Sequence, residues 1–137
     1  MDISYAEKLL DILIANSSRI LRAGFGVNYA EPALFAVIDL LIENPSLKEY
    51  FLSRVLHTFC LDDPSSLRGG AVPVELIELV AHELRWDEIR IIAEDRIRKV
   101  FSGDYNLTVG DISQRIIEAF DDCWPDKEFY KHYHSDW

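Results

Sequence analysis

The sequence predicts an all-α protein, a compact bundle or stack of helical hairpins with about seven helices. Three observations predict it. Apolar residues recur three and four positions apart along nearly the whole chain, the period of a helix with one buried face. No stretch alternates apolar and polar residues convincingly enough to make a half-buried strand. The periodic runs are separated by connections rich in Pro, Gly, Asp or Ser, mostly short enough to join antiparallel neighbours. A chain of 137 residues, 49% of them hydrophobic, can bury a sizeable core and is expected to form a single domain over 1–137.

The first helix is expected to start at a capping box of Ser4 and Glu7. It carries Ala6, Leu9, Leu10, Leu13, Ser17, Ile20 and Leu21 at helical spacing and ends near "AGFG", where glycine permits the turn. Pro32 suits the first turn of the second helix. There Leu34, Phe35, Val37, Ile38, Leu41 and Ile42 surround a narrow polar stripe of Asp39 and Glu43, so this helix belongs at the centre of the fold. Asn44 as N-cap and Pro45 at the first position open a third helix that runs to about Cys60. It is expected to bury Leu47, Phe51, Leu52, Val55, Leu56 and Phe59.

The longest linker-like segment is "LDDPSSLRGGAV", between two halves of similar length, neither of which looks independent. Pro73 then begins a fourth helix with Leu76, Ile77, Val80 and Leu84 inward and Glu75, Glu78, His82 and Arg85 on its other face. After a break near "RWDE", a fifth helix turns Ile89, Ile92, Ala93, Ile97 and Val100 inward. "SGDYNLTVG" reads as a loop, and Thr108 or Asp111 caps a sixth helix that buries Ile112, Ile116, Phe120 and Trp124. Pro125 begins a short seventh helix, whose amphipathic character leaves the oligomeric state open.

Charge narrows the function classes. A formal net charge of -10 repels nucleic acid and anionic lipid and attracts basic partners. The N-terminal "MDISYAEKLLDILIAN" lacks a basic leader region, and Asp39 interrupts "ALFAVIDLLI", which is too short for a membrane span. A soluble cytoplasmic protein is the expectation, with Cys60 and Cys123 as two buried free thiols.

Candidate chemistry is sparse. His132 and His134 are two positions apart with Asp136 beyond. That spacing does not put both rings on one helix face, and no further ligands are identified, so no metal is expected. His57 and Cys60 are i,i+3 but have no evident orienting group or oxyanion site. "RGGA" lacks the phosphate-loop spacing, and "HELRW" has Trp86 where a zinc protease needs its second histidine. The sequence therefore points away from an enzyme and implies no cofactor.

The acidic residues sort into explained and unexplained. Glu94 and Asp95 precede Arg98 and Lys99 by four and suit ordinary helix pairs. Asp87, Glu88, Asp126 and Glu128 fall in first turns, where the helix dipole favours anions. Asp121 and Asp122 are placed in the last turn of the sixth helix, which disfavours them, and Glu118 one turn earlier adds repulsion. An Asx-type cap onto the next helix is the structural explanation open to Asp122. From residue 104 onward eight acids face three bases, so this quarter of the chain holds half of the net charge. Phe129, Tyr130, Tyr133 and Trp137 are too many rings for so short a helix to bury, and aromatic anchors in a charged rim are the composition of a recognition surface. The candidate partner-binding residues are accordingly Glu118, Asp121, Asp122, Trp124, Asp126, Glu128, Phe129, Tyr130 and Tyr133. The Glu75/Glu78 face and the 61–72 loop are rivals.

In size, charge, helical content and the acidic–aromatic stretch 118–137, the chain resembles immunity proteins of bacterial contact-dependent inhibition and related polymorphic toxin systems. The resemblance implies a function: binding one cognate toxin domain and blocking its active site or substrate cleft. Many such toxins are nucleases with basic clefts, which an acidic face complements. The 14 Lys and Arg interspersed along the helices depart from a simple nucleic-acid mimic. A helical adaptor or regulatory subunit with no toxin partner is the alternative.

Overall fold

The structure is a computed structural model that describes residues 1–60 and 71–134. Among the described residues there are six α-helices, four short 3-10 segments and no strand, so the fold is all-α. None of those helices is long and apolar enough to cross a membrane. The chain divides into two compact units, 1–51 with 125–137, and 52–124. The division falls inside the third helix and not at the linker-like 61–72 stretch, and the chain's end belongs to the first unit.

The first unit is built on a hairpin of α1 (Ile3–Arg22) and α2 (Val27–Glu43). α1 buries Ala6, Leu10, Ile14, Ser17 and Ser18, one stripe at spacings of four and three. The capping box does not form. Asp2 sits at the N-cap without a side-chain bond, which leaves Ser4 and Glu7 inside the first turns. The helix stops where expected, with Gly24 at φ +95, a left-handed conformation that glycine adopts without strain.

α2 begins five residues before Pro32, which lies within it. The extra turn brings Ala30 into the same buried face as Leu34, Val37, Ile38, Leu40 and Leu41. That burial outweighs the one helix bond a proline cannot make. Phe35 is half-buried and Ile42 exposed, so the apolar face is narrower than expected. Asn44 does not cap the next helix; its Nδ2 donates back to the Leu40 carbonyl at 3.1 Å and closes α2. A 3-10 turn, Pro45–Leu47, leads into α3 (Lys48–Phe59). There the Tyr50 hydroxyl donates to the Asp11 carboxylate at 2.8–2.9 Å, which ties the start of α3 to α1.

The second unit contains the rest of α3, α4 (Val74–Leu84), α5 (Asp87–Phe101), a 3-10 turn Tyr105–Thr108 and α6 (Ile112–Glu118). Buried Thr58 donates to the Arg54 carbonyl and accepts from the Val72 amide at 2.9 Å, and so anchors the chain as it enters α4. α4 is buried nearly all round, at Val74 and from Leu76 to His82. α5 presents only Ile89, Ala93 and Ile97 to the core; Val100 and Leu56 are exposed and Ile92 half-buried, against expectation. Cys60 and Cys123 are both exposed, which corrects their reading as buried thiols.

Asp111, not Thr108, caps α6: its carboxylate accepts from the Ser113 amide and hydroxyl, and Arg96 of α5 donates to both carboxylate oxygens at 2.8–2.9 Å. Burial pushes this carboxyl up, but the bonds from Arg96 and Ser113 outweigh it and hold it at about 2. A carboxyl lowered on folding stabilises the protein above its unfolded pKa and loses that stabilisation as pH falls through the folded one. Between about pH 4 and pH 2, wild type should therefore lose on the order of 2 kcal/mol that Asp111→Asn never has. Urea denaturation across that range checks it: parallel stability curves for the two proteins would contradict the assignment.

Candidate functional site

The nine candidate residues divide between the two units: Glu118, Asp121, Asp122 and Trp124 fall in the second, the remainder in the first. In the second unit α6 ends at Glu118, and the chain leaves it through successive tight turns, Phe120 to Ile117, Asp121 to Glu118 and Trp124 to Asp121. Asp121 and Asp122 thus lie beyond the helix, not in its last turn. Asp121 is the residue that makes the Asx turn, its Oδ1 accepting from the Cys123 amide at 2.8 Å. Asp122 meets Arg85, whose Nη2 lies 2.9 Å from Oδ1.

That arginine arrives from the end of α4. It sits at φ 54, the left-handed C-cap of α4, and fans its donors onto the His82 and Phe120 carbonyls as well. The helix-dipole argument against Asp121 and Asp122 therefore fails, because a turn and a distant cation each supply a local reason. Their exposure persists. Asp122 keeps 91% of its side chain in solvent, where an ion pair contributes at most about 1 kcal/mol. Glu118 and Asp121 are exposed too, so three carboxylates crowd the end of α6.

Trp124 is buried, as its spacing on the sixth helix predicts, and so is not an exposed anchor of the partner surface. It is 3% exposed, with its ring 4.9 Å from that of His82. His82 is itself buried and bonds through Nδ1 to the Ala119 carbonyl at 2.8 Å. Glu78, one helical turn before His82, is buried beside Arg115 of α6. The polar face assigned to α4 is thus largely an interior seam against α6, and Glu78 is withdrawn from the rival surface.

A feature of this unit was missed by the sequence reading. Tyr105, Leu107 and Val109 are exposed apolar side chains on the 104–110 connection, Val109 at 81%. α6 packs against this turn, and Glu118 lies within electrostatic reach of Tyr105: desolvation raises the phenol, and the Glu118 carboxylate raises it further. The available signal was three apolar residues at alternate positions between Gly103 and Gly110, both of which adopt left-handed φ.

In the first unit, Pro125–Phe129 and Lys131–Tyr133 are 3-10 segments in place of one short α-helix. Asp126 and Glu128 occupy the first turn as expected. Tyr130 is 1% exposed and packs edge-on against Phe35 and Tyr133, so it too is core. Phe129 is exposed, and half-buried Tyr133 lies under the Lys127 ammonium at 5.2 Å. His132 stacks on Phe35 at 4.4 Å, and His134 Nε2 contacts the Glu128 carbonyl at 2.9 Å, which gives each imidazole its own role. No group of three or more potential metal ligands occurs among the described residues; Asp136, Trp137 and the 61–70 part of the rival loop lie outside them. No protein-family model, curated protein or solved structure matches the chain.

Proposed function

We propose that this protein works by stoichiometric protein binding, as an immunity protein that occludes the active site or substrate cleft of a basic toxin domain, with a nuclease as the favoured class. One observation carries the reading: the exposed carboxylates Glu118, Asp121 and Asp122 gather where α6 ends, and α6 packs against the turn that carries exposed Tyr105 and Leu107. Apolar anchors with a charged rim suit protein recognition, and the rim's sign selects a basic partner. Phe129 and Glu128 offer further exposed contact in the first unit. Trp124 and Tyr130 hold their segments from inside and touch no partner.

The test is capture from the native host at low salt with the whole chain as bait, followed by titration of the captured protein's activity. A basic enzyme bound one to one, released by salt and silent at saturation, is the expected result. A captured partner that keeps its activity at saturation would overturn neutralisation in favour of an adaptor.

A further inference from the structure

Within the first unit, α2 and the 131–132 segment enclose an open cleft of about 590 Å3. Glu31, Phe35 and Asp39 lie four residues apart on α2, so they form one stripe with an aromatic ring between two carboxylates about 12 Å apart along the axis. Asn28 and Pro32 complete the α2 side of the cleft.

The opposite wall is fixed by the same carboxylate. Glu31 accepts the Lys131 and His132 amides at 2.8 and 3.0 Å, which holds His132 flat against Phe35. A carboxylate offers about four lone-pair sites, so Glu31 keeps capacity for a further donor. Asp39 is exposed and has no ion pair among the described residues. Two carboxylates against the single Lys131, whose flexible stem can carry its ammonium into solvent, leave the lining net negative.

A cleft rich in acceptors, negative, and floored by stacked rings suits a planar cation with many donors. A guanidinium is that group: it stacks on aromatic faces and donates in a fork to carboxylates. An ammonium meets the charge but neither the stacking nor the fork. We propose that this cleft receives an arginine side chain of the protein partner, which rests on the reading of that partner as basic. Asp39 supplies the forked carboxylate and the Phe35–His132 pair the platform.

Backbone NMR of the whole protein titrated with acetyl-arginine amide tests the cleft without any partner. The expected result is shifts confined to residues 28–39 and 131–132, absent with the uncharged isostere acetyl-citrulline amide. Affinity should fall roughly tenfold in Asp39→Asn, the loss of one charge-assisted hydrogen bond. Equal shifts with citrulline, shifts scattered over the acidic surface, or an unchanged Asp39→Asn would each overturn the site. Such a failure leaves capture of a basic partner standing, whereas failed capture with intact arginine binding would sink the immunity reading alone.

Discussion

Arg115→Ala is expected to destabilise the protein by about 3 kcal/mol, the cost of removing a counter-charge from a buried carboxylate. Arg115 Nη2 lies 2.7 Å from Glu78 Oε1, and the two side chains are 37% and 2% exposed. Partial solvent access to Arg115 places the effect at the lower end of the range for buried pairs. The solvated Asp122–Arg85 pair is the internal control: Asp122→Ala should cost no more than about 1 kcal/mol. Replacing both partners by apolar residues, Glu78→Leu with Arg115→Met, should recover much of the loss, because the buried carboxylate is removed together with its arginine. Urea denaturation of the three variants decides it. An Arg115→Ala loss as small as that of Asp122→Ala would mean that the seam between α4 and α6 does not depend on this charge.

Reversing charge at the end of α6 is expected to act on association, not on folding. In Asp121→Lys with Asp122→Lys, the rate of binding to the captured basic partner should fall about tenfold or more at low salt, with a flatter dependence on salt and little change in dissociation. Both side chains are exposed, so the variant should fold, with loss of the Asx turn at Asp121 and of the surface pair at Asp122. Stopped-flow association at several ionic strengths checks the prediction. An unchanged rate and salt slope would move the contact away from residues 118–122, with the 61–72 loop next to be tested. Adding Leu107→Ala separates the two parts of the proposed surface, since loss of an apolar anchor raises dissociation and leaves the salt slope alone.

Local chemistry made much of the fold legible. The stripe of Ala6, Leu10 and Ser17 in α1, the glycine stop at Gly24, the break at Arg85 and Trp86, and the Asp111 cap all follow from periodicity and end signals within a few residues. Pro32 marks where that reasoning failed, because burial of Ala30 extends α2 back past a residue that locally favours a first turn.

By itself, the sequence determined an all-α protein with a strongly negative surface and the positions of most helix breaks, since helix period and net charge are properties of the chain alone. Only the tertiary structure decided which polar groups face water. Glu78 and His82 read as a solvated face until α6 packs over them, and Asp122 reads as unpaired until Arg85 reaches it across 37 positions of sequence. Tyr130 reads as a surface anchor until it is enclosed within the first unit, and Trp124, whose spacing suits the core and whose neighbours suit a recognition surface, is decided as core by His82. The physical reason is common to all of them: a side chain's period places it on a face, but partners distant in sequence determine whether that face is covered.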